Sequence, residues 1–166
     1  MIQTKWFTFA SPPRTGCTWT RLLLESLGIE FQGARWHVPG RTGLPSITVW
    51  RDPADWLHSY FQMVPDLVGF EAVDCFMDLR VKGQEFSDFA GRYIEQMPGA
   101  ITRLFGAYPS DYVLQLSEIR SGLLVAWREI GVPFDIVVLE AFPIKNAATR
   151  RATVSDELKA RILEVG

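Results

Sequence analysis

The sequence predicts an α/β protein built on a mostly parallel sheet, and three observations carry that expectation. Short β-rich apolar segments alternate with longer segments of helical apolar spacing, the order that lays helices over parallel strands. The 166 residues are 48% hydrophobic and 13% aromatic, enough to bury a real core in one domain. No repeat, low-complexity tract or linker interrupts the alternation.

Each element has its own signal. "KWFTFA" (Lys5–Ala10) reads as a short buried strand closed by Ser11-Pro12-Pro13. Thr18–Leu27 carries Trp19, Leu22, Leu23 and Leu27 at helical spacing, with Gly28 as its stop. An extended piece around Ile29–Trp36 leads into the punctuated loop "HVPGRTGLPS". "SITVW" (Ser46–Trp50) is a second buried strand. Asp52 caps a helix with Pro53 at its first position, running to about Met63. The stretch Pro65–Lys82 is ambiguous. Helices follow at about Glu85–Met97 and Ala100–Tyr108, then a strand in "DYVLQLS" and a helix in "EIRSGLLVAWREIG". "FDIVVLEAF" (Phe134–Phe142) reads as a fourth strand, and Ser155 caps a final helix, "DELKARILEV".

Composition narrows the function classes. The net charge of −2 creates no general attraction for nucleic acid, so none is expected as a partner. No apolar run approaches membrane-spanning length and the N-terminus lacks a secretory pattern, so the expectation is a cytoplasmic protein without a membrane partner. Cys17 and Cys75 are far apart, without metal-like spacing, and are expected as free thiols; no metal is expected. Arg14, Arg21, Arg35, Arg41 and Arg51 fall in the first third of the chain, and Lys145, Arg150 and Arg151 cluster late. A compact fold could gather them around one small polyanion; the alternative is an ordinary scatter over the surface.

Two loops carry chemistry. In "FASPPRTGCTWTR" a strand hands over to a helix through Arg14, Gly16 and small side chains. A helix starting near Cys17 turns unpaired N–H groups and its positive dipole end toward the loop. Gly16 permits close approach of an anion, Thr18 offers a hydroxyl and Arg14 a charge, which together describe a phosphate cradle. A plain strand-to-helix turn is the alternative. The loop lacks the Walker pattern, since no lysine follows the glycine. In "TVWRDPADWLHSYF", Arg51 ends a strand and Ser59 follows eight residues later on the capped helix, a pair suited to a second phosphate. Read alone, the same stretch equally describes an arginine beside Asp55 and an aromatic core face.

"PPRTGCTW" resembles the 5′-phosphosulfate loop of the sulfotransferases, P-[KR]-[ST]-G-[ST]-T-[WL]. "WRDPADWLHSYF" is similar to their 3′-phosphate segment, R-[ND]-P-x-D-x-x-x-S, with the arginine–serine interval kept. "ARWHVPG" resembles the K-T-H-x-P stretch of the cytosolic branch, and "VLQLSEIRSGLLVAWREIGVPF" a later strand-then-helix segment. The likeness spans Phe7–Phe61 and, more loosely, Asp111–Phe134. It implies a three-layer α/β/α, P-loop-NTPase-like fold and the donor 3′-phosphoadenosine 5′-phosphosulfate, without a metal. By position, Arg14 and the backbone of Thr15, Gly16, Cys17 and Thr18 would hold the 5′-phosphate and the sulfuryl group. Trp19 would flank the adenine, Arg51 and Ser59 would grip the 3′-phosphate, and His37 would take the acceptor's proton.

The departures are specific. Arg14 replaces the usual lysine and, being unable to give up a proton near neutrality, serves electrostatically. Cys17 stands where a hydroxyl is common. The interval from His37 to Arg51 is shorter than in the cytosolic branch, and His58 is the other histidine. The family's late R-K-G-type element is replaced by "TRRATVSDE", from which Arg150 or Arg151 would reach the 3′-phosphate. The short chain suggests a reduced acceptor pocket or help from a second subunit, a homodimer being one such arrangement. The partner is a small-molecule or glycan acceptor with a hydroxyl or amine. A P-loop-like nucleotide kinase and a non-catalytic nucleotide-binding module are the rival readings.

Overall fold

The computed structural model describes residues 1–32, 39–40, 42–63, 84–108, 110–144 and 154–166. The expectations placed on Gly33–Trp36, on His37, Val38 and Arg41 of the "HVPGRTG" loop and on Pro65–Lys82 therefore lie outside the described residues. The described strands form a four-stranded mixed sheet in the order β1 (Ile2–Gln3), β2 (Thr8–Phe9), β3 (Ser46–Trp50), β4 (Tyr112–Gln115). β1 and β2 are antiparallel, while β2–β3 and β3–β4 are parallel, so the protein is α/β with a mostly parallel sheet.

The described residues fall into two compact units, Met1–Arg51 with Phe105–Thr149, and Asp52–Leu104 with Arg150–Gly166. The first holds the sheet with helices α1 (Cys17–Ser26), α5 (Ile119–Ile130) and α6 (Ile136–Ala141). Register puts Phe9 beside Ile47 and Val49 beside Leu114 on one face of the sheet. That face shares a single apolar core with Leu23 and Leu24 of α1, Leu123 and Trp127 of α5 and Leu139 of α6. The opposite face carries Thr8, Ser46 and Thr48, all buried. The second unit packs α2 (Pro53–Met63), α3 (Phe86–Gln96) and α7 (Asp156–Val165) on one another around Trp56, Tyr60, Phe89, Tyr93 and Ile162. Helix α4 (Ala100–Gly106) begins in this unit and ends in the first. No helix among the described residues is long and apolar enough to cross a membrane.

Helix ends follow the caps. Asp52 Oδ1 accepts from Asp55 N at 2.9 Å and Ser155 Oγ from Leu158 N at 3.3 Å, starting α2 and α7. Gly131 closes α5 at φ 81°, a left-handed stop. Two expectations are corrected. Phe134–Phe142 is not a strand: Asp135 Oδ1 accepts from Val137 N at 2.8 Å, and this cap starts the six-residue α6 despite its β-branched residues. The expected strand Lys5–Ala10 is also cut to Thr8–Phe9. Thr4 Oγ1 accepts from Trp6 N at 3.1 Å and Phe7 N at 3.0 Å, turning the chain there, so Ile2–Gln3 folds back as an antiparallel edge.

Candidate functional site

The loop between β2 and α1 leaves the carboxyl end of a parallel strand, where open α/β sheets take their ligands. Ala10 N donates to Ile47 O at 3.0 Å, and the chain then peels away through Ser11, Pro12 and Pro13. Arg14 has φ 64° and Gly16 φ 89°, while Thr15 between them is not left-handed. Left-handed residues in a loop at a helix start are one ingredient of a backbone anion nest. Pro13 followed by a left-handed residue matches the φ pattern of a type II turn, whose second central position belongs to glycine or asparagine. An arginine there costs roughly 1–2 kcal/mol. Gly16 is needed twice over: its φ is positive, and a Cβ would stand 3.0 Å from Leu116 Cδ1 and 3.3 Å from Ile119 Cδ1. As N-cap of α1 it provides no side-chain cap. The N–H groups of Cys17, Thr18 and Trp19 precede the first intrahelical bond, Thr20 N to Gly16 O at 2.9 Å.

The side chains of the loop divide by direction. Thr15 is fully buried, with Oγ1 2.5 Å from Pro12 O and 2.6 Å from Ser11 Oγ, so only its backbone is available to a ligand. Cys17 is a buried free thiol whose Sγ lies 3.6 Å from Pro12 O; burial pushes its pKa up to about 11, keeping it neutral. Thr18 and Arg14 are exposed. Trp19, expected against an adenine, is instead 5% exposed in the core, where Nε1 donates to Pro143 O at 3.0 Å and the ring meets Phe142 edge-on. The indole holds α1 in place and has no face to offer a base.

Arg51, at the carboxyl end of β3, reaches back to the loop and donates from Nη1 to Arg14 O at 3.3 Å. The first unit thus brings Arg14, Arg51 and the start of α1 together. Ser59 belongs to the second unit, where α2 buries it to 3% exposure. His58 is half-buried on that helix, with Nε2 3.3 Å from Gln62 Nε2 and its ring against Phe86. His37, Arg150 and Arg151 lie outside the described residues, as do Arg35, Arg41 and Lys145.

Sequence reading overlooked Ser11, whose Oγ sits 3.1 Å from both Val49 N and Val49 O and ties the loop to β3. The signal was present: two prolines after a strand supply no N–H, so a neighbouring strand's carbonyl, here Val49 O, needs a side-chain donor. Among the described residues no group of three or more His, Cys, Asp or Glu could hold a metal ion. What the arrangement can do is present the N–H groups at the start of α1 and the Arg51 guanidinium to a small anion. No protein-family model matches the chain, and no curated protein matches it either.

Proposed function

We propose that this protein is a sulfotransferase that moves the sulfuryl group of 3′-phosphoadenosine 5′-phosphosulfate to a hydroxyl or amine. The observation that carries the reading is the loop from Ser11 to Cys17: a left-handed Arg14 and Gly16, inward-braced hydroxyls, and Arg51 arriving from the next parallel strand. It lies in the segment whose sequence resembles the 5′-phosphosulfate loop. The three-layer, P-loop-NTPase-like arrangement belongs to the same proposal, supported by the parallel strands β2, β3 and β4 and by helices over one face.

In the proposed step the acceptor oxygen or nitrogen bonds to sulfur while the bond from sulfur to the 5′-phosphate oxygen breaks. The electron pair leaves with the phosphate, and the acceptor's proton goes to the base, assigned to His37. Negative charge grows on the leaving phosphate, where the Arg14 guanidinium and the N–H groups of residues 15–18 stabilise it more in the transition state than in the ground state. Arg51 takes the 3′-phosphate in this reading.

The test is transfer of labelled sulfuryl from the donor to a panel of carbohydrates, phenols, amines, lipids and peptides. Acceptor-dependent transfer that survives a chelator is the expected result. Nucleotide-dependent phosphoryl transfer that collapses with a chelator would establish the kinase reading instead, and donor binding without transfer to any acceptor the binding module.

A further inference from the structure

Ser11, which no motif singles out, occupies the place where the β2–β3 ladder should continue. The ladder runs through Thr8 N to Pro45 O at 2.8 Å and Ala10 N to Ile47 O at 3.0 Å. The next β3 donor, Val49 N, goes to Ser11 Oγ at 3.1 Å. Ser11 Oγ lies 2.6 Å from Thr15 Oγ1, which lies 2.5 Å from Pro12 O. Carbonyls only accept, so Thr15 Oγ1 can donate to Pro12 O, Ser11 Oγ to Val49 O at 3.1 Å, and either hydroxyl to the other. Val49, Ser11, Thr15 and Pro12 are thereby joined in one buried network, and hydrogen bonds within such a network reinforce one another at low dielectric. Ser11 is 2% exposed and Thr15 0%.

Pro13 and Arg14 are the two residues enclosed between Pro12 and Thr15 of this network. We propose that the Ser11–Thr15 relay is a positioning device that holds Arg14 in its left-handed conformation, and that Ser11 acts on anion binding only through Arg14. A backbone strained at this position persists only where its surroundings over-determine it. The two buried hydroxyls anchor both ends of the turn to β3. The inference deepens the donor reading and rests on it for the identity of the anion, but not for the mechanics of the loop.

Two measurements test it. Thermal unfolding without nucleotide reads the mechanics. Arg14→Gly relieves the strain and raises the Tm by about 2–4 °C in the wild-type background. The gain vanishes or reverses in the Ser11→Ala and Thr15→Val backgrounds, where the turn has already relaxed, and returns with Thr15→Ser. Titration with 3′-phosphoadenosine 5′-phosphate reads the consequence. Ser11→Ala and Thr15→Val weaken binding about 10-fold, Thr15→Ser restores most of that loss, and Ser11→Ala adds less than about 2-fold in an Arg14→Ala background. An Arg14→Gly gain unchanged by Thr15→Val, or a Ser11→Ala loss undiminished in the Arg14→Ala background, overturns the relay. Should Ser11→Ala fail to fold, Thr15→Val carries both measurements. A wild-type protein that ignores the nucleotide overturns the donor reading, while the unfolding series still decides the relay.

Discussion

Arg14 carries the cost of a left-handed backbone, and its carbonyl accepts from Nη1 of Arg51, which brings a second arginine to the same loop. Local strain and like charge in one loop are tolerable where an anion is to be bound. In the sulfotransferase reading, Arg14→Ala impairs turnover more than donor affinity, because leaving-group charge is largest in the transition state. Steady-state kinetics beside a binding titration checks this, and an unchanged turnover removes Arg14 from the chemistry. Cys17 gives a pH prediction. Its ordinary value is 9.0 and burial raises it to about 11, so the folded state keeps a proton that the unfolded state releases. The stability tied to that proton is complete below pH 9 and is lost as pH rises toward 11, by about 2–3 kcal/mol in total. Denaturation of Cys75→Ser protein across this range, with and without Cys17→Ala, isolates the loss; parallel curves would show that the thiol ionises freely when folded.

At the scale of elements, short side-chain bonds decide what apolar pattern leaves open. Asp111 Oδ2 accepts from Ser46 N and Ser46 Oγ, both at 2.8 Å, fixing the starts of the parallel strands β3 and β4. Asp111→Ala leaves a buried N–H without its partner and costs about 1–3 kcal/mol by chemical denaturation; a loss within error would mean that the strands align without it. Asp135→Ala removes the cap of α6 and costs about 1 kcal/mol, while Asp135→Asn keeps most of it. The same two bonds show what was legible in the sequence. Strand β3 and helices α1, α2, α3, α5 and α7 were readable because each has an apolar period with a cap or stop at its ends, as Asp52, Ser155 and Gly131 illustrate. "IVVLEA" was misread because a run with five β-branched or apolar residues in six fits either period, and one aspartate cap settled the matter. Lys5–Ala10 was overextended because the Thr4 hydroxyl competes for the backbone of residues 6 and 7, which hydrophobicity does not record.

At the scale of the whole chain, the candidate site was legible where it depends on backbone and illegible where it depends on burial. Gly16 and the proline pair announce a special turn, and the Arg51 position at a strand end predicts where its guanidinium stands. Trp19 and Ser59 were assigned to ligand by motif position, but both are buried, because tertiary packing chooses which side of a helix faces inward. Ser11 was missed because its partner, Val49, is distant in sequence. In the sulfotransferase reading His37 is the base, so its removal costs roughly 10²–10⁴-fold in turnover with donor affinity retained, measured by steady-state kinetics on an acceptor identified in the transfer panel.

The central claim is that the Ser11–Cys17 loop and Arg51 form a cradle for an adenine nucleotide bearing phosphate at both the 5′ and 3′ positions. Melting temperature with saturating 3′-phosphoadenosine 5′-phosphate, set against the same concentration of adenosine 5′-phosphate, tests it most directly, because a ligand bound only by the folded state stabilises it by mass action. The account predicts a shift of several degrees for the bisphosphate, a far smaller one for the monophosphate, and loss of the difference in Arg51→Ala. Equal shifts from both nucleotides, or none from either, would contradict it.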